Sequence, residues 1–217
     1  MSAQSSMSTS SGRGTARLRI LDAALALIRA NGWSATTVDE LCAAAGVTKG
    51  AFFHHFESKE ALGVAAADHW SAITGDLFAS ASFHDRATAA ERVFAYLDLR
   101  AALIRGTTAQ FTCVAGTMAQ EVFDTHPAIR DACAASIFGH AATLEADLAE
   151  ALDDASNGGI DPSGLARHTQ AVLQGAFVLA KAADDPTMVL ESIDHLRRYL
   201  SLLFTTRNSQ HTRKAPS

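Results

Sequence analysis

The chain has 217 residues, of which 48% are hydrophobic, and a formal net charge of −5. This length allows one or two domains, and four prolines set against abundant alanine and leucine predict an all-α protein rather than one built on strands. No run approaches the roughly 18 apolar residues of a membrane helix, and residues 1–15 lack the apolar core of a signal peptide. We therefore expect a cytoplasmic protein with no membrane partner.

The N-terminal segment is small and polar, and residues 1–14 are predicted to form a disordered arm. A first helix is predicted from about residue 15 to residue 30, because leucine and isoleucine recur there at helical spacing and Asn31-Gly32 can end it.

Two short helices separated by a turn are predicted next, between residues 37 and 56. Thr37 can cap the first, and Glu40 three residues later completes a capping box. Gly46 lies where a left-handed residue ends a helix at low cost, and Thr48 can cap the second helix. This is a helix-turn-helix, in which the second helix enters the DNA major groove.

A connector helix is predicted from Lys59 to about residue 80, followed by further helices to give about nine in all. Among these, one helix is predicted within residues 111–123 and one long helix from Pro127 to about residue 153. In this arrangement the connector is the only covalent link between the helix-turn-helix and the rest of the chain, so we expect it to transmit any ligand signal.

The helix-turn-helix segment also resembles a known family. TVDELCAAAGVTKG, followed by AFFHHF and SKEAL, resembles the DNA-binding domain of TetR-type (TetR/AcrR) transcriptional repressors, and the likeness extends upstream through ARLRILDAALALIRANGWSATT. Further along, CVAGTMAQE, HPAIRDA and QGAFVLAKA look like the effector half of one branch of that family.

The resemblance implies an N-terminal three-helix DNA-binding domain at residues 15–75, a helical effector-binding and dimerisation domain at residues 76–207, and a flexible tail at residues 208–217. It also implies a repressor that binds a palindromic operator on double-stranded DNA as a homodimer. A small, mostly apolar effector would release the operator. No cofactor, metal or catalytic residue is implied.

The candidate DNA contacts cluster around the second helix of the motif. Its N-terminus can meet phosphates or base edges, and Gly50 would let the backbone approach DNA closely. Phe53 stands where the family usually has tyrosine, so packing is an alternative role for it, as capping is for Thr37. Adjacent histidines point about 100° apart, which argues against a metal site. The predicted contacts are Thr37, Thr48, Lys49, Gly50, Phe53, His54, His55 and Lys59.

Two further sets of residues are assigned by position and apolar character, with ordinary core packing as the alternative for each member. Cys113 has no neighbouring cation in the sequence, which favours a buried small side chain over a thiol sensor. The predicted dimer interface consists of Leu165, Val172, Ala176, Leu179, Ile193, Leu196, Leu200 and Leu203. The predicted effector pocket consists of Phe94, Phe111, Cys113, Met118, Phe123, Phe138, His140 and Phe177.

Charge distribution fits this reading, because residues 1–56 carry five Lys/Arg against three Asp/Glu, while the remainder is acidic. No GxSxG, GxGxxG, phosphate-binding loop or HExxH pattern is present, so we predict that the chain is not an enzyme. Two alternatives stay open: a helical protein-interaction module that has lost DNA binding, which the departures at Phe53 and His54 allow, and an enzyme with an unrecognised active site.

Overall fold

The computed structural model describes residues 7–157 and 159–205, with side chains from residue 15 onward. The described residues form eleven α-helices and one 3-10 helix at Ser82–Asp85, with no strand, which confirms the all-α prediction. None of these helices is long and apolar enough to span a bilayer. The helices are α1 (Met7–Asn31), α2 (Val38–Ala45), α3 (Lys49–His55), α4 (Lys59–Ala79), α5 (Ala89–Ala102), α6 (Thr108–Phe111), α7 (Val114–Val122), α8 (Pro127–Ala142), α9 (Glu145–Asp154), α10 (Pro162–Ala183) and α11 (Thr187–Phe204).

The helix boundaries differ from the sequence prediction at the N-terminus. α1 begins at Met7 rather than near residue 15, so part of the predicted disordered arm is helical. Residues 1–6 of that arm, and the predicted tail at residues 208–217, lie outside the described residues.

The described residues contain more helices than the nine predicted, because one predicted helix is divided and one short helix was not predicted. The helix predicted within residues 111–123 is confirmed as α7, with Cys113 as its N-cap, and the short helix α6 precedes it without having been predicted. The long helix predicted from Pro127 breaks at Thr143 and Leu144, whose N–H groups bond carbonyls three residues back at 3.3 and 3.0 Å. No proline or glycine stands at this break, so the sequence gives no local signal for it.

The chain packs into two compact units. The first unit contains the chain up to Phe78 together with Thr112–Ile137, and the second contains Ala79–Phe111 and the chain from Phe138 onward. The backbone therefore passes between the units three times. The prediction that the connector helix is the only covalent link is wrong, because α7 and the first part of α8 belong with the helix-turn-helix.

The core of the first unit combines residues that are far apart in sequence. Ile28, Trp33 and Phe52 share one apolar cluster with Met118 of α7 and Ile129 of α8, all of them nearly or fully buried. Full burial of a large apolar side chain stabilises a fold by about 1.5–3 kcal/mol. The helix-turn-helix is therefore supported by helices that come more than 50 residues later than its own last turn.

The second unit is built around a hairpin of α10 and α11, which packs against α5 and α9. The left-handed backbone of Asp184 (φ 50°) ends α10, and its N–H bonds the carbonyl of Ala180. The inner faces of the two helices are apolar and fill the space between them and their neighbours.

This packing corrects the predicted dimer interface. Five of its eight members are buried inside a single chain, because their stripe holds the hairpin onto α5 and α9 and is not available to a partner. Val172 and Leu203 are half-buried, and Leu179 is exposed. The buried five are Leu165, Ala176, Ile193, Leu196 and Leu200.

Candidate nucleic-acid interface

The start and end of α2 follow the predicted local chemistry. Thr37 Oγ1 accepts a hydrogen bond from the Glu40 N–H at 3.2 Å, and Glu40 Oε2 accepts from the Thr37 N–H at 2.8 Å, which confirms the capping box. The hydrogen bond from the Thr37 backbone lowers the pKa of Glu40. Gly46 ends the helix in the left-handed conformation (φ 62°, ψ 43°), as predicted.

The recognition helix α3 is short and is held from beneath by two aromatic rings. Thr48 caps it, with Oγ1 accepting from the Ala51 N–H at 3.1 Å. Phe52 and Phe56 are buried and their ring centroids lie 5.7 Å apart. Because seven residues make fewer than two turns, anchoring Phe52 fixes which side of α3 faces outward.

The outward side of α3 carries most of the predicted DNA contacts. Phe53 is 53% exposed, with its ring edge-on to Phe52 at a centroid distance of 5.1 Å. A Cβ added to Gly50 would find Thr48 Oγ1 at 3.8 Å as its nearest neighbour, so packing within the protein does not require glycine there. Thr48, Lys49, Gly50 and His54 are also exposed, and His55 is half-buried.

Lys49 is held by an acidic residue that the sequence analysis did not single out. Its Nζ lies 2.7 Å from Asp39 Oδ1 of α2, and both side chains are largely exposed. The hydrogen bond and the negative charge of Asp39 raise the pKa of Lys49. The cation is therefore fixed beside the N-terminus of α3, with an anion next to it.

Lys59 points to the protein rather than outward. Its Nζ donates to the Trp33 carbonyl at 2.7 Å and lies 4.4 Å from the Trp33 ring centroid. Burial lowers the pKa of Lys59, which the charges of Glu121 and Glu40 partly offset. This geometry does not favour a phosphate contact, and the contact stays a prediction.

The two adjacent histidines of α3 have ring centroids 5.2 Å apart. In the part of the chain that the structure describes, no group of three or more His, Cys, Asp or Glu side chains is arranged to hold a metal ion.

The predicted effector residues are distributed over both units. Cys113, Met118 and Phe123 belong to the first, where Met118 is fully buried and Phe123 is exposed. Phe138 is also exposed, and Phe94 packs against Phe204 with ring centroids 5.7 Å apart. The second unit contains Phe94, Phe111, Phe138, His140 and Phe177, and the effector pocket stays a prediction.

A polar cluster in the second unit surrounds Tyr96, which the sequence analysis missed. Gln170 Nε2 donates to the Tyr96 phenol oxygen at 3.2 Å, and that oxygen lies 3.0 Å from His140 Nε2. The guanidinium of Arg100 lies 5.9 Å from the ring centroids of both Tyr96 and Phe177. Burial, with a smaller contribution from the charge of Arg100, lowers the pKa of His140 to about 4. His140 is therefore neutral at physiological pH.

Cys113 has a more polar environment than its sequence neighbours indicate. Its Sγ accepts a hydrogen bond from the Gly116 N–H at 3.4 Å at the start of α7. Burial lowers the pKa of Arg29 of α1, and the nearby Cys113 partly opposes this shift. Arg29 of α1 is thus a cation near Cys113, although no cation stands beside Cys113 in the sequence.

A capped, exposed recognition helix in an all-helical chain is typical of a DNA-binding transcriptional regulator of the helix-turn-helix class, and comparison with known proteins agrees. Residues 20–66 match the model for bacterial regulatory proteins of the tetR family, and residues 89–196 match the tetracyclin repressor-like C-terminal domain. The chain belongs to the TetR family of transcriptional regulators, as the sequence resemblance implied.

Relatives and solved structures are consistent with this assignment. The chain is 40% identical over 52 residues to the HTH-type transcriptional regulator YerO of Bacillus subtilis and 42% identical over 52 residues to the HTH-type transcriptional repressor KstR2 of Rhodococcus jostii. Each match covers 24% of this chain, and only 18% and 26% of the respective relatives. A TetR transcriptional regulator from Chloroflexus aurantiacus superimposes with a TM-score of 0.74 at 26% identity, covering 88% of this chain and 96% of that one.

Proposed function

We propose that this regulator acts as a repressor that binds a palindromic operator as a homodimer and is released by a small-molecule effector. The observation that carries the proposal is the outward side of α3, where exposed Lys49, Phe53 and His54 lie above a buried aromatic anchor. A helix anchored in this way can present the same few side chains to the major groove at each encounter.

Within the proposed interface, the contacts divide into positioning and reading roles. Lys49 is the only Lys or Arg between residues 30 and 58, so it provides the phosphate contact of the motif itself. Phe53 offers an apolar ring for a thymine methyl, and His54 offers ring nitrogens for base edges. Thr37 and Thr48, beyond their capping roles, place hydroxyl groups beside the backbone of the DNA.

Dimerisation is assigned to the outer face of the hairpin, which we define as Gly175, Val178 and Leu179 of α10 with Tyr199 and Leu202 of α11. All five are exposed, Leu202 to the extent of 71%. Large exposed apolar side chains on a helical surface are candidates for a protein interface. A second copy seated on this face would bring two recognition helices to a two-fold symmetric operator.

The effector is assigned to the second unit, beside the Tyr96–His140–Gln170 cluster. Phe111 and Phe177 (ring centroids 6.4 Å apart) supply apolar surface, and the cluster supplies a small number of oriented polar groups. That combination is typical of small-molecule sites. The effector is accordingly a small, mostly apolar molecule with at least one hydrogen-bonding group.

Selection of bound duplexes from a random DNA library tests the DNA-binding proposal. We expect an enriched inverted repeat with half-sites one helical turn apart or a multiple of it. Lys49→Ala should weaken binding to the selected site and reduce the slope of log affinity against log salt by about one. Failure to enrich any motif would contradict the proposed function, and an unchanged slope would remove Lys49 from the interface.

Derepression requires a separate experiment. A metabolite panel is screened by thermal shift, and the stabilising compounds are then added to the operator complex while fluorescence anisotropy is followed. A 100-fold preference of the ligand for the non-binding state shifts the equilibrium by about 2.7 kcal/mol per site. Compounds that stabilise the protein yet leave operator affinity unchanged would contradict effector release and leave DNA binding intact.

A further inference from the structure

A carboxylate on α7 binds the backbone of the loop between α1 and α2. Glu121 Oε1 accepts a hydrogen bond from the Trp33 N–H at 2.9 Å, and Glu121 Oε2 accepts from the Ser34 N–H at 2.8 Å. The two partners are separated from Glu121 by 88 and 87 residues of sequence. Hydrogen bonds that involve an ionised acceptor are roughly twice as strong as neutral ones.

The loop has a shape that suits this contact. Gly32 follows α1 in the left-handed conformation (φ 88°), and a Cβ at this position would lie only 2.5 Å from Glu121 Oε1. A glycine here therefore allows both the turn and the close approach of the carboxylate. Thr36 Oγ1 donates to the Gly32 carbonyl at 2.7 Å, which closes the loop on itself.

Other helices of the first unit hold the same loop. Lys59 of α4 donates to the Trp33 carbonyl, as described above. The Trp33 ring is buried, and a Cβ added to Gly63 of α4 would lie 2.8 Å from Trp33 Cη2 and 2.6 Å from Ile129 Cδ1 of α8. The loop thus has little room to shift while α4, α7 and α8 keep their places.

The loop leads directly into the helix-turn-helix. Ser34, the last residue bound by Glu121, comes three residues before Thr37, the N-cap of α2. α2 in turn is joined to α3 through the single turn at Gly46. A displacement of the loop backbone would therefore change the orientation at which α2 begins and, with it, the position of the recognition helix.

We propose that Glu121 is a positioning residue for DNA binding, through which α7 holds the helix-turn-helix in its DNA-binding orientation. α7 begins two residues after the backbone enters the first unit at Thr112, so this contact is also a route by which a change in α7 reaches α3. The inference rests on the proposed operator binding. This route differs from the one predicted through α4. It passes through a side-chain contact between α7 and the loop, whereas the predicted route follows the continuous backbone of α4.

Operator affinity of two variants and one control tests the proposal. Glu121→Ala removes both hydrogen bonds and should weaken binding by about tenfold, and Glu121→Gln, which keeps the size and one acceptor, by about threefold. Gln120→Ala is the matched control, since Gln120 Nε2 bonds the Gly116 carbonyl of its own helix at 2.9 Å. The control should stay within about twofold of wild type.

Two further measurements separate positioning from general loss of structure. The salt slope of operator binding should be unchanged in all variants, because the bound state keeps the same phosphate contacts. Hydrogen–deuterium exchange of the free protein should become faster in residues 32–41 of Glu121→Ala, while circular dichroism and the urea midpoint stay close to those of the control.

The outcomes distinguish this inference from the proposed function. If wild-type protein selects no DNA sequence, the proposed function fails. If wild type binds and Glu121→Ala binds as well as Gln120→Ala, DNA binding stands and the positioning role is wrong. The positioning role would also be wrong if Glu121→Ala and Glu121→Gln lost the same affinity and the urea midpoint fell, because the loss of binding would then result from unfolding.

Discussion

Lys49 can enter a DNA complex only by leaving or sharing its ion pair with Asp39, whose carboxylate lies 2.7 Å away. Exposed pairs of this kind contribute little to stability. We expect the ion pair to affect DNA binding more than folding stability, because Asp39 both occupies Lys49 and repels the phosphate that Lys49 would bind. If Lys49 contacts phosphate as proposed, we expect Asp39 to lower non-specific affinity and to make binding depend more on the base contacts of α3.

We therefore predict that Asp39→Asn binds random-sequence duplexes about threefold more tightly at low salt, with an unchanged fold. Fluorescence anisotropy with operator and random duplexes measures both affinities. In a Lys49→Ala background, Asp39→Asn should increase the affinity for random-sequence DNA by less, since it then relieves only the repulsion between Asp39 and phosphate. The double-mutant cycle gives the difference between the two gains. Equal gains in both backgrounds would show that the pair does not restrain Lys49.

His140 makes the stability of the second unit depend on pH. Its pKa is about 4 in the folded protein, compared with about 6.5 for an unperturbed histidine. The unfolded chain therefore binds more protons between these values, so the stability present above pH 6.5 is lost as the pH falls toward 4. Neutral His140 Nε2 lies 3.0 Å from the Tyr96 hydroxyl oxygen, and protonation would place a charge near Arg100.

From pH 7 to pH 5 we predict that this group alone costs the wild-type protein roughly 2 kcal/mol of unfolding free energy. Urea unfolding at the two pH values measures it. His140→Gln, which keeps a hydrogen-bonding side chain, should show a smaller decrease, whereas His54→Asn, at an exposed site on α3, should behave as wild type. A wild-type decrease that persists in His140→Gln would assign the pH dependence to other groups.

Residues whose roles are decided by their immediate neighbours were predictable from the sequence. Thr37, Gly46 and Thr48 follow from capping rules, and the burial of Phe52 and Phe56 follows from their helical spacing. Residues whose partners come from distant helices were not. Glu121, Asp39 and Tyr96 show no local pattern that distinguishes them from any other acid or aromatic side chain on a helix.

At the level of elements, the α10–α11 hairpin shows why an apolar stripe does not identify an interface. Both helices carry apolar residues on two sides, and helical spacing alone does not say which side faces the chain's own core. α5 and α9 cover the more regular stripe. The side left uncovered is the less regular one, marked by Gly175, Val178 and Leu202.

Three substitutions distinguish the outer face of the α10–α11 hairpin from its buried inner face. Gly175→Arg should give folded monomers, since a Cβ there meets nothing within 4 Å, but the charge would be buried without a partner at a dimer seam. Gly139→Arg, at an equally open site on α8, should remain dimeric. Ala176→Arg should instead unfold the unit, because Ala176 is 2% exposed.

Sedimentation velocity and circular dichroism of the three variants provide the measurement. Dimers of Gly175→Arg at the wild-type dissociation constant would place the interface on another surface. A folded Ala176→Arg would show that the inner stripe is less tightly packed than its burial indicates.

For the whole molecule, the two units follow packing rather than sequence order. The sequence predicted a DNA-binding domain at residues 15–75 and a body at residues 76–207, which treats the chain as two consecutive blocks. The structure adds Thr112–Ile137 to the first unit. The sequence does not show this return, because α7 and α8 are apolar-rich helices whose residues carry no mark of the unit to which they belong.

A consequence of this return is that a fragment ending at Phe78 should not fold cooperatively. It lacks Met118, Val122 and Ile129, all of which are buried in the core of the first unit. We predict low helicity and no sharp thermal transition for it, and a cooperative transition for a fragment ending at Ile137. Circular dichroism during heating distinguishes the two, and cooperative unfolding of the shorter fragment would contradict the prediction.

Because Thr112–Ile137 belongs to the first unit, that unit can be completed only late in translation. The ribosome releases α1–α3 first, yet these helices share one core with Ile129 and Cys133, which are synthesised after more than half of the chain. In a nascent chain, the core that supports the helix-turn-helix therefore stays incomplete until the first part of α8 has been synthesised. We expect the regulator to acquire its affinity for DNA late in its own synthesis, so that a chain that stalls or is truncated before residue 137 does not occupy an operator.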